Sequence, residues 1–489
     1  MINSAVTFNK HDSFVLHSLG ILEVIFFGMV FLFIILLIVA LIIFIIDAVQ
    51  HTDAIRHNYP FIGRFRNWFI HLGVFFRVYF FSEDRGEMPF NRADRTWVYQ
   101  ATGSNKIMSA FGSTRNINKK IYSVNFVNAT YPLLEDSEDI QSSEIVFGPN
   151  TANPYKTNKF FHISAMSYGA LSAPAVQALS QGAKIAGILL DTGEGGIAPY
   201  HLDSKCDLVA EIGSAKYGFR NLDGKLDDNK LKKISQLEQV KMFSIKLGQG
   251  AKPGQGGVLP KHKITAEIAK IRGIRRDQDS ISPNRWPEIA NDEQLLDMIN
   301  HIRQITQKPV GFKFVMGDNK WLDGFCKLIH KRGKNTAPDF IIIDGAEGGT
   351  GAAPSTLMDY VGGSILQTLP NTIKTLKKHN LKKQILVGCS GKLITPSRIA
   401  WALCIGADYV NSARGFMFSL GCIQAMRCHT DRCPTGVTTH NKRLQSGLDP
   451  QHKKHKVALY VQNIEREVGI IAHACGVANP RELNEDHLL

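Results

Sequence analysis

Three closely spaced cysteines form the pattern in this chain that most directly indicates chemistry. Cys422, Cys428 and Cys433 lie within twelve residues in the run GCIQAMRCHTDRCPTGV, spaced C-x5-C-x4-C. Three thiols at this spacing can converge on one inorganic centre, and thiolates are the usual ligands of iron–sulfur clusters. Three ligands suit a cluster with three irons, because each iron then takes one cysteine. The spacing leaves two alternatives open: a zinc ion with His429 or His440 as a fourth ligand, and three inert thiols in the core.

One carboxylate lies within a glycine-rich turn. Glu194 stands in TGEGG (192–196), directly after an apolar run. Its small neighbours let the backbone and a ligand approach closely, and the carboxylate can hold an amino group or relay a proton. The alternative, from these residues alone, is an ordinary glycine-rich turn with an exposed glutamate.

A longer glycine-rich segment contains cationic and amide side chains. IKLGQGAKPGQGGVLP (245–260) follows an apolar run and contains Lys246, Gln249 and Lys252. Backbone amides and two cations in such a loop can bind an anion, whether a carboxylate, a phosphate or a reduced flavin ring. Arg272, twenty residues after Lys252, can form a fork with a carboxylate. A long structural turn is the alternative.

Three more glycine loops follow apolar runs later in the chain. They are DGAEGGTGAAP (344–354), VGCSGK (387–392) and NSARGF (411–416). Loops after the last two strands of a barrel often bind phosphate through backbone N–H groups and a helix N-terminus. Arg414 adds a charge there, so the last two loops predict a phosphate site. Ordinary strand-to-helix turns are the alternative.

The order of apolar runs and helical patterns predicts the fold class. Several runs are continuous and β-branched, as in parallel strands buried on both faces. Helical patterns lie between many of them, which specifies an α/β fold. Eight runs predict a TIM-type (β/α)8 barrel with its site where the strands end, and a doubly wound sheet is the alternative. The runs are KFFHIS (159–164), ILLDTG (188–193), LVAEIG (208–213), MFSIKLG (242–248), VGFKFV (310–315), FIIIDG (340–345), ILVGCSG (385–391) and ADYVNSA (407–413).

An uninterrupted apolar segment precedes the barrel runs. Residues 24–46 contain no charged side chain over 23 residues, and a helix of that length, about 34 Å, crosses a hydrocarbon core of roughly 30 Å. A signal peptide normally has a shorter apolar region and a basic start. Before the segment the basic residue is Lys10, whereas Arg56, Arg64 and Arg66 follow it. Because basic residues that flank a membrane span remain on the cytoplasmic side, we expect a single-pass anchor with the catalytic domain in the cytoplasm.

Composition agrees with this location and limits the classes of partner. The formal net charge is +14, which favours anionic lipid, acidic proteins or nucleic acid. The chain contains no nucleic-acid-binding motif, so nucleic acid is not an expected partner. Its eight cysteines lack the paired framework of secreted proteins, which indicates a reducing compartment.

We expect three regions along the chain. Residues 1–50 contain the transmembrane helix, and residues 51–130 form a juxtamembrane helical region rich in aromatic and basic residues. That region either packs on the body of the protein or rests at the lipid surface. Residues 131–489 form the barrel, with the iron–sulfur motif at 422–433.

Five strings in residues 164–440 closely resemble one family. AMSYGALS, DTGEGG, IKLGQGAKPGQGG, DGAEGGTGAAP and GCIQAMRCHTDRCPTGV are similar, in this order, to the FMN-binding synthase domain of bacterial and plant glutamate synthases. The resemblance implies a (β/α)8 barrel that carries FMN and a 3Fe-4S cluster, with Cys422, Cys428 and Cys433 as cluster ligands.

The resemblance also implies roles for individual residues. Ala165, Met166, Ser167 and Lys246 would contact the flavin. The FMN phosphate would lie on Ser390, Gly391 and the turn formed by Ala413, Arg414 and Gly415. The 2-oxoglutarate pocket would contain Glu194, Lys252 and Arg272. To these we add Gln249, from the same glycine-rich segment as Lys252, as an expected catalytic residue.

Two departures from the family pattern bear on the substrate and on the source of ammonia. Where the family has a glutamine that helps to hold the oxoacid, this sequence has Val258, whose side chain cannot form that hydrogen bond. The sequence begins Met1-Ile2 instead of with the family's glutaminase domain and its N-terminal cysteine, and the glycine-repeat domain after the barrel is also missing. We therefore expect free or partner-supplied ammonia as the nitrogen source.

The expected function is reductive amination of a 2-oxoacid, either 2-oxoglutarate to glutamate or a related pair. Electrons would come from a ferredoxin-like protein, a reductase subunit or a membrane carrier, because no nicotinamide-binding motif is present. The alternative is a membrane-linked flavoprotein dehydrogenase that oxidises an amino or hydroxy acid and reduces quinone. A third possibility is a redox or scaffold protein that has lost turnover.

Overall fold

The computed structural model describes residues 10–104, 107–108, 110–115, 124–133 and 142–489. It divides the chain into two compact units, Met1–Pro89 and Phe90–Leu489. The division between the units falls inside residues 51–130, the expected juxtamembrane region. The boundaries expected for that region stay a prediction.

The first unit is helical. Helix α1 (Lys10–Val49) is followed by α2 (Ala54–Asn58), α3 (Gly63–Phe76) and a π-helical turn (Arg77–Phe81). Within α1, the apolar stretch Gly20–Val49 reaches a mean hydropathy of 3.7 over its most apolar 18 residues, and these residues are not buried. The long apolar helix predicted over 24–46 is therefore present. Its length and composition fit a membrane span and also a signal sequence, and no other helix in the described ranges shares them.

A buried carboxylate joins these helices. Asp47, in the last turn of α1, is fully buried. Arg56 donates to its Oδ1 from Nε at 2.9 Å, and Arg64 donates to its Oδ2 from Nε at 2.7 Å. The amide of Phe61 donates to Oδ2 at 3.2 Å. Because charge-assisted bonds from two guanidinium groups meet on one carboxylate, the start of α3 is held against the end of α1. We call this group the Asp47 clamp.

Twelve strands occur in the described part of the second unit. Eight of them form a closed parallel barrel in the order β10-β11-β12-β3-β4-β5-β6-β9, and the pairs β1–β2 and β7–β8 are antiparallel. The strands are β1 (Ile145–Phe147), β2 (Tyr155–Thr157), β3 (Phe161–Ile163), β4 (Leu190–Asp191), β5 (Leu208–Ile212), β6 (Val240–Lys246), β7 (Val258–Leu259), β8 (Ser280–Ile281), β9 (Val310–Phe314), β10 (Phe340–Asp344), β11 (Leu386–Ser390) and β12 (Tyr409–Ser412). Each of the eight predicted runs overlaps one barrel strand, so the TIM-type prediction is confirmed.

Helices of the second unit lie before, between and after the barrel strands. They are α4 (Arg92–Ala101), α5 (Ala173–Ala186), α6 (Pro199–Leu202), α7 (Asp228–Ser235), α8 (Ala266–Arg272), α9 (Asp292–Thr306), α10 (Asn319–Arg332), α11 (Ser355–Tyr360), α12 (Ile365–Lys378), α13 (Pro396–Ile405), α14 (Arg414–Ser419), α15 (Lys442–Gln445) and α16 (Pro450–Ala474). Short 3-10 turns occur at Lys261–Lys263, Lys334–Thr336, Pro480–Glu482 and Glu485–His487.

The amino ends of the strands are closed by a plug of apolar side chains. Phe147 of β1 is fully buried, and its ring lies 5.6 Å from that of Phe340 and 5.2 Å from that of Tyr409. Leu189 and Met242 complete this layer. Since this end of the barrel is filled with apolar side chains, the polar residues at the opposite ends of the strands form the accessible site.

Close packing of α5 against α16 depends on one glycine. A Cβ atom on Gly182 would lie 2.5 Å from the Cβ of Val457 and 2.9 Å from the carbonyl oxygen of Lys454. Because that oxygen belongs to the backbone, the two helices would have to separate. We predict that Gly182→Ala lowers the free energy of unfolding by about 1–3 kcal/mol, as overpacking does.

The matched control for this prediction is the exposed helical glycine Gly324, where an added Cβ meets no atom within 4 Å. Gly324→Ala should stabilise α10 by about 0.5–1 kcal/mol. Thermal or urea unfolding of both variants checks the pair, and equal shifts in the two variants would contradict the packing argument.

Candidate active site

A cleft of about 410 Å³, part of it open to solvent, lies at the carboxyl ends of the barrel strands. Six of the predicted site residues line it: Ala165, Gln249, Ser390, Gly391, Ala413 and Arg414. Gly415 lies beneath the cleft, where a Cβ would come within 2.4 Å of the Tyr460 hydroxyl. The structure thus brings together the loops after β11 and β12, which the sequence predicts at a cofactor phosphate, and the loop after β3, which the resemblance implies at the flavin.

Two cations face this side of the cleft. Burial lowers the pKa of Arg414 to about 10. Burial and the neighbouring Arg414 also lower the pKa of Lys392. A Cβ on Gly349 would lie 2.8 Å from the Nε of Arg414, so only a glycine lets the guanidinium take this position. Cations destabilised by burial and mutual repulsion gain from a bound anion, and the donor set therefore fits a phosphate group.

A lysine that the sequence analysis did not select reaches the same cleft. Lys313 is the fourth of the five residues of β9, and its Nζ is 3.6 Å from Oδ2 of Asp344. Ser390 donates to Oδ1 of Asp344 at 2.6 Å. Burial disfavours the ammonium form, but Asp344, Glu211 and further carboxylates outweigh burial and raise the pKa of Lys313. A lone lysine inside an apolar run, VGFKFV, was the signal that could have identified it.

Glu194 and Lys246 form an ion pair beside the cleft. Lys246 donates from Nζ to Oε1 of Glu194 at 2.8 Å and to Oε1 of Gln249 at 3.2 Å. Burial raises the pKa of Glu194, but Lys246 and more distant cations outweigh that effect and lower it overall. A Cβ on Gly257 would lie 2.4 Å from Oε1 of Glu194, and one on Gly213 would lie 2.7 Å from its Oε2. The glycines therefore make room for the carboxylate.

Two further buried cations lie close to this pair. Burial and Lys246 lower the pKa of Lys252 to about 8. Arg272 donates from Nη2 to the Tyr168 carbonyl at 3.1 Å and to Oγ of Ser167 at 3.3 Å. Its buried Nε has no partner among the described residues. An unpaired guanidinium donor and an ammonium group with a low pKa suit a carboxylate ligand.

The remaining predicted residues border these two groups. A Cβ on Gly193 would lie 2.6 Å from the amide nitrogen of Ser167 and 2.9 Å from the carbonyl carbon of Met166. Val258 is half-buried in β7, next to Gly257. The predicted catalytic residues therefore gather around Glu194, and the predicted phosphate residues gather at the cleft.

The cysteine run lies between α14 and α15. Cys433 is buried, whereas Cys422 and Cys428 are half-buried. Burial raises the pKa of Cys422 to about 12. Burial also opposes ionisation of Cys433, but hydrogen bonds from Thr435 and Thr438 outweigh it and lower the pKa of that thiol.

Zinc and a three-iron cluster make different demands on these thiols. No three His, Cys, Asp or Glu side chains in the described part of the chain converge on a single ion. Nε2 of His440 lies 2.8 Å from the Gly169 carbonyl, a contact that fixes the orientation of the ring and leaves Nδ1 as its second nitrogen. In a three-iron cluster each thiolate binds its own iron, and the sulfurs need not meet at one point. The residue types of the run match that donor set.

Distant segments hold the first half of the run. The hydroxyl of Tyr99 in α4 donates to the Cys422 carbonyl at 2.7 Å. Gln424 and the backbone of Phe90 exchange two hydrogen bonds, at 3.1 and 3.0 Å. Phe90 also lines the cleft, and the guanidinium of Arg414 lies 4.6 Å from the centre of its ring. Phe90 therefore connects the cysteine run to the cleft, a role that no sequence motif indicates.

A buried lysine holds the second half. Nζ of Lys263 donates to the carbonyls of Thr438 at 3.0 Å, Cys428 at 3.1 Å and Ala170 at 3.4 Å. Its side chain is 3% exposed, which leaves these carbonyls as its main partners. Lys263 thus joins the loop after β7 to the cysteine run.

Comparison with known proteins identifies the family of this chain. Residues 102–478 match the family model described as a conserved region in glutamate synthase. The chain belongs to the glutamate synthase family. It is accordingly an oxidoreductase of the class that acts on CH–NH2 groups.

The relatives differ in how much of their length this chain spans. It is 36% identical to the glutamate synthase large subunit-like protein YerD of Bacillus subtilis, over 91% of each chain. It is 32% identical to the archaeal glutamate synthase [NADPH] of Methanocaldococcus jannaschii over 67% of this chain, and spans 61% of that protein. It spans 19% of the glutamate synthase [NADPH] large chain of Bacillus subtilis, at 30% identity over 60% of this chain.

Solved structures share only the general fold. The recombinant flavin-binding domain of flavocytochrome b2 from baker's yeast superimposes with a TM-score of 0.46 at 15% identity, covering 75% of this chain and 76% of that chain. That likeness is too remote to bear on the site.

The position of Lys263 leads to a test of how the cysteine run is held. Lys263→Met should leave three carbonyls without their donor, and each buried unpaired group costs about 1–3 kcal/mol. We expect a lower melting temperature and faster amide hydrogen exchange across residues 428–438. Lys261→Met, at an exposed lysine two residues earlier, is the control and should change neither. Unchanged exchange in the Lys263 variant would refute the role.

Proposed function

We propose that this protein catalyses reductive amination of a 2-oxoacid with FMN and a 3Fe-4S cluster. The observation that carries the proposal is the arrangement of Lys252 and Arg272 beside the Glu194–Lys246 pair, next to a cleft with two half-buried cations. Family membership makes glutamate the first product to test. Val258 stands where the family has a glutamine that helps to hold the oxoacid, and its side chain cannot form that hydrogen bond. Other 2-oxoacids therefore belong among the substrates to test.

The cleft is the proposed FMN site. Gly391, Ser390 and the turn that begins at Ala413 would receive the phosphate, while Arg414 and Lys392 balance its charge. Ala165, Met166 and Ser167 would border the ring. Lys246 and Lys313 would stabilise negative charge on it. When bound, FMN supplies hydride transfer to the imine formed from the oxoacid and ammonia.

The charged group around Glu194 is the proposed substrate site. Lys252 and Arg272 would each hold a substrate carboxylate, which suits a dicarboxylic oxoacid. Glu194 would accept a hydrogen bond from the substrate nitrogen and exchange a proton with it. Gln249 fixes Lys246, since it accepts from its Nζ and donates to the Gly349 carbonyl at 2.7 Å.

Cys422, Cys428 and Cys433 are the proposed cluster ligands. A 3Fe-4S cluster would supply single-electron transfer from an external donor, which we propose to be a ferredoxin-like protein, a reductase subunit or a membrane carrier. Phe90 would keep the run beside the cleft, because it contacts both Gln424 and Arg414.

We also propose that α1 crosses a membrane once and that the barrel lies in the cytoplasm. The apolar stretch Gly20–Val49 supports the span. The arginines at 56, 64 and 66 that follow it support the orientation, because basic flanks remain on the cytoplasmic side.

The cluster proposal predicts a defined metal content. Protein purified without oxygen should contain about three irons per chain and give an EPR signal when oxidised, as expected for three thiolate ligands. Cys428→Ser should lose the iron and keep the flavin, since the phosphate loops belong to other segments. Cys326→Ser, at a buried thiol in α10, is the control and should keep both. Stoichiometric zinc without iron would refute the proposal.

The reaction itself can be tested under anaerobic conditions. With a chemical reductant, ammonia and a panel of 2-oxoacids, we expect amino-acid formation, measured by mass spectrometry. Lys252→Ala should abolish it and leave bound flavin unchanged. Reduction of the flavin by an amino or hydroxy acid without the reductant would instead indicate a dehydrogenase. Loss of flavin from Lys252→Ala would mean that this loop binds the cofactor.

The pKa of Lys252 predicts how oxoacid binding depends on pH. Burial lowers that pKa to about 8, so the ammonium form is present below pH 8 and is lost above it. The dissociation constant for the oxoacid should therefore rise above pH 8, by about tenfold per unit at the limit. Lys252→Arg keeps its charge throughout and should flatten the profile. Isothermal titration at several pH values measures both, and a flat profile in the unmodified protein would contradict the assignment.

A further inference from the structure

Helix α3 has one continuous apolar stripe, which the proposed reaction does not use. Phe65, Trp68, Phe69, Leu72 and Phe76 follow the spacing i, i+3, i+4, i+7 and i+11, which places them on one face. The side chains of Phe65, Trp68 and Phe69 are 47%, 55% and 60% exposed. Gly63 is the one buried residue of α3. Exposed aromatic residues in this arrangement need a partner that is itself apolar.

The charges around the stripe have a single sign. From Ala54 to Ser82 the sequence contains four arginines and neither Asp nor Glu. Arg66 and Arg77 are exposed. Basic residues beside an aromatic stripe complement a surface that is apolar inside and anionic outside, as the headgroup layer of a bilayer is.

The Asp47 clamp determines where the stripe lies relative to α1. It ties Arg64, in the first turn of α3, to Asp47, in the last turn of α1, by two hydrogen bonds of 2.7 and 2.9 Å. If α1 crosses the bilayer, its end lies at the interface, and the start of α3 is held there too. The 14 residues of α3 extend only about 21 Å, too short to cross a core of roughly 30 Å. The helix therefore has the length to lie along the surface rather than to span.

We propose that α3 lies in the headgroup region of the membrane, with its aromatic stripe toward the acyl chains and the exposed Arg66 and Arg77 among anionic headgroups, while Arg64 remains paired with Asp47. The proposal rests on the proposed span of α1. It gives the protein a second lipid contact, in which Trp68 is the central side chain of the stripe.

Trp68 allows a direct measurement in the full-length protein. The protein is reconstituted into phosphatidylcholine–phosphatidylglycerol vesicles with and without bromines on the acyl chains. The emission of Trp68 is obtained by subtracting the spectrum of Trp68→Phe from that of the unmodified protein. Because bromine quenches tryptophan emission over short distances, we expect brominated acyl chains to remove most of it. Aqueous iodide should leave that emission largely unchanged. Trp321→Phe, which removes a half-buried barrel tryptophan, is the control and should retain the bromine effect.

Each outcome decides between the two proposals. If the protein floats with the vesicles and bromolipid quenches Trp68, the inference holds. If it floats but iodide quenches Trp68, or neither quencher does, α3 faces water or protein and the inference is wrong while the span stands. If it does not float, the span and the inference both fail, and the assays of turnover and cluster content are unaffected.

Discussion

Barrel closure is the constraint on which the rest of the molecule depends. Eight parallel strands in one closed sheet bring every strand end to the same mouth, so loops separated by more than 200 residues in sequence become neighbours. Phe147 and the apolar layer around it fill the opposite end. Chemistry is thereby confined to one rim, where a short glycine-rich loop is enough to bring a side chain into the cleft.

Charged side chains at that rim are partly removed from water, which disfavours their charged forms. Pairing of opposite charges offsets this cost. Lys313, Lys246 and Glu194 are removed from most of the water that would otherwise solvate them, and each has an opposite charge nearby. Arg272 and Lys252 are compensated less well, as the unpaired Nε and the lowered pKa indicate. Buried cations that lack full pairing with carboxylates gain stabilisation when an anion binds. Cations whose charge and hydrogen bonds were already fully paired would gain none.

The sequence was informative wherever a local pattern carries the signal. Strands such as FIIIDG are apolar throughout because both faces are buried, and glycine loops mark the strand ends, so the fold and most of the rim were predictable. Phe90, Lys263 and Lys313 were not, because their roles arise from contacts with residues far away in sequence. Phe90 in particular belongs to no motif, and only its bonds to Gln424 and its ring contact with Arg414 reveal its function. Helix α16 was also missed, since its first turns are polar and its apolar face begins only at Val457.

The way the cysteine run is held has a consequence for biogenesis. Its anchors lie at Phe90 and Tyr99, near the start of the second unit, and at Lys263, near the middle, while the thiols themselves are close to its end. A chain still emerging from the ribosome therefore has the anchors long before it has the thiols, and the run acquires its shape only when the ring of strands closes through β12. Any inorganic centre held there must enter an almost finished protein. Incorporation of such a centre would then be a late step that depends on the whole fold, and a chain that fails to close its barrel would leave the three thiols without the anchors that shape the run.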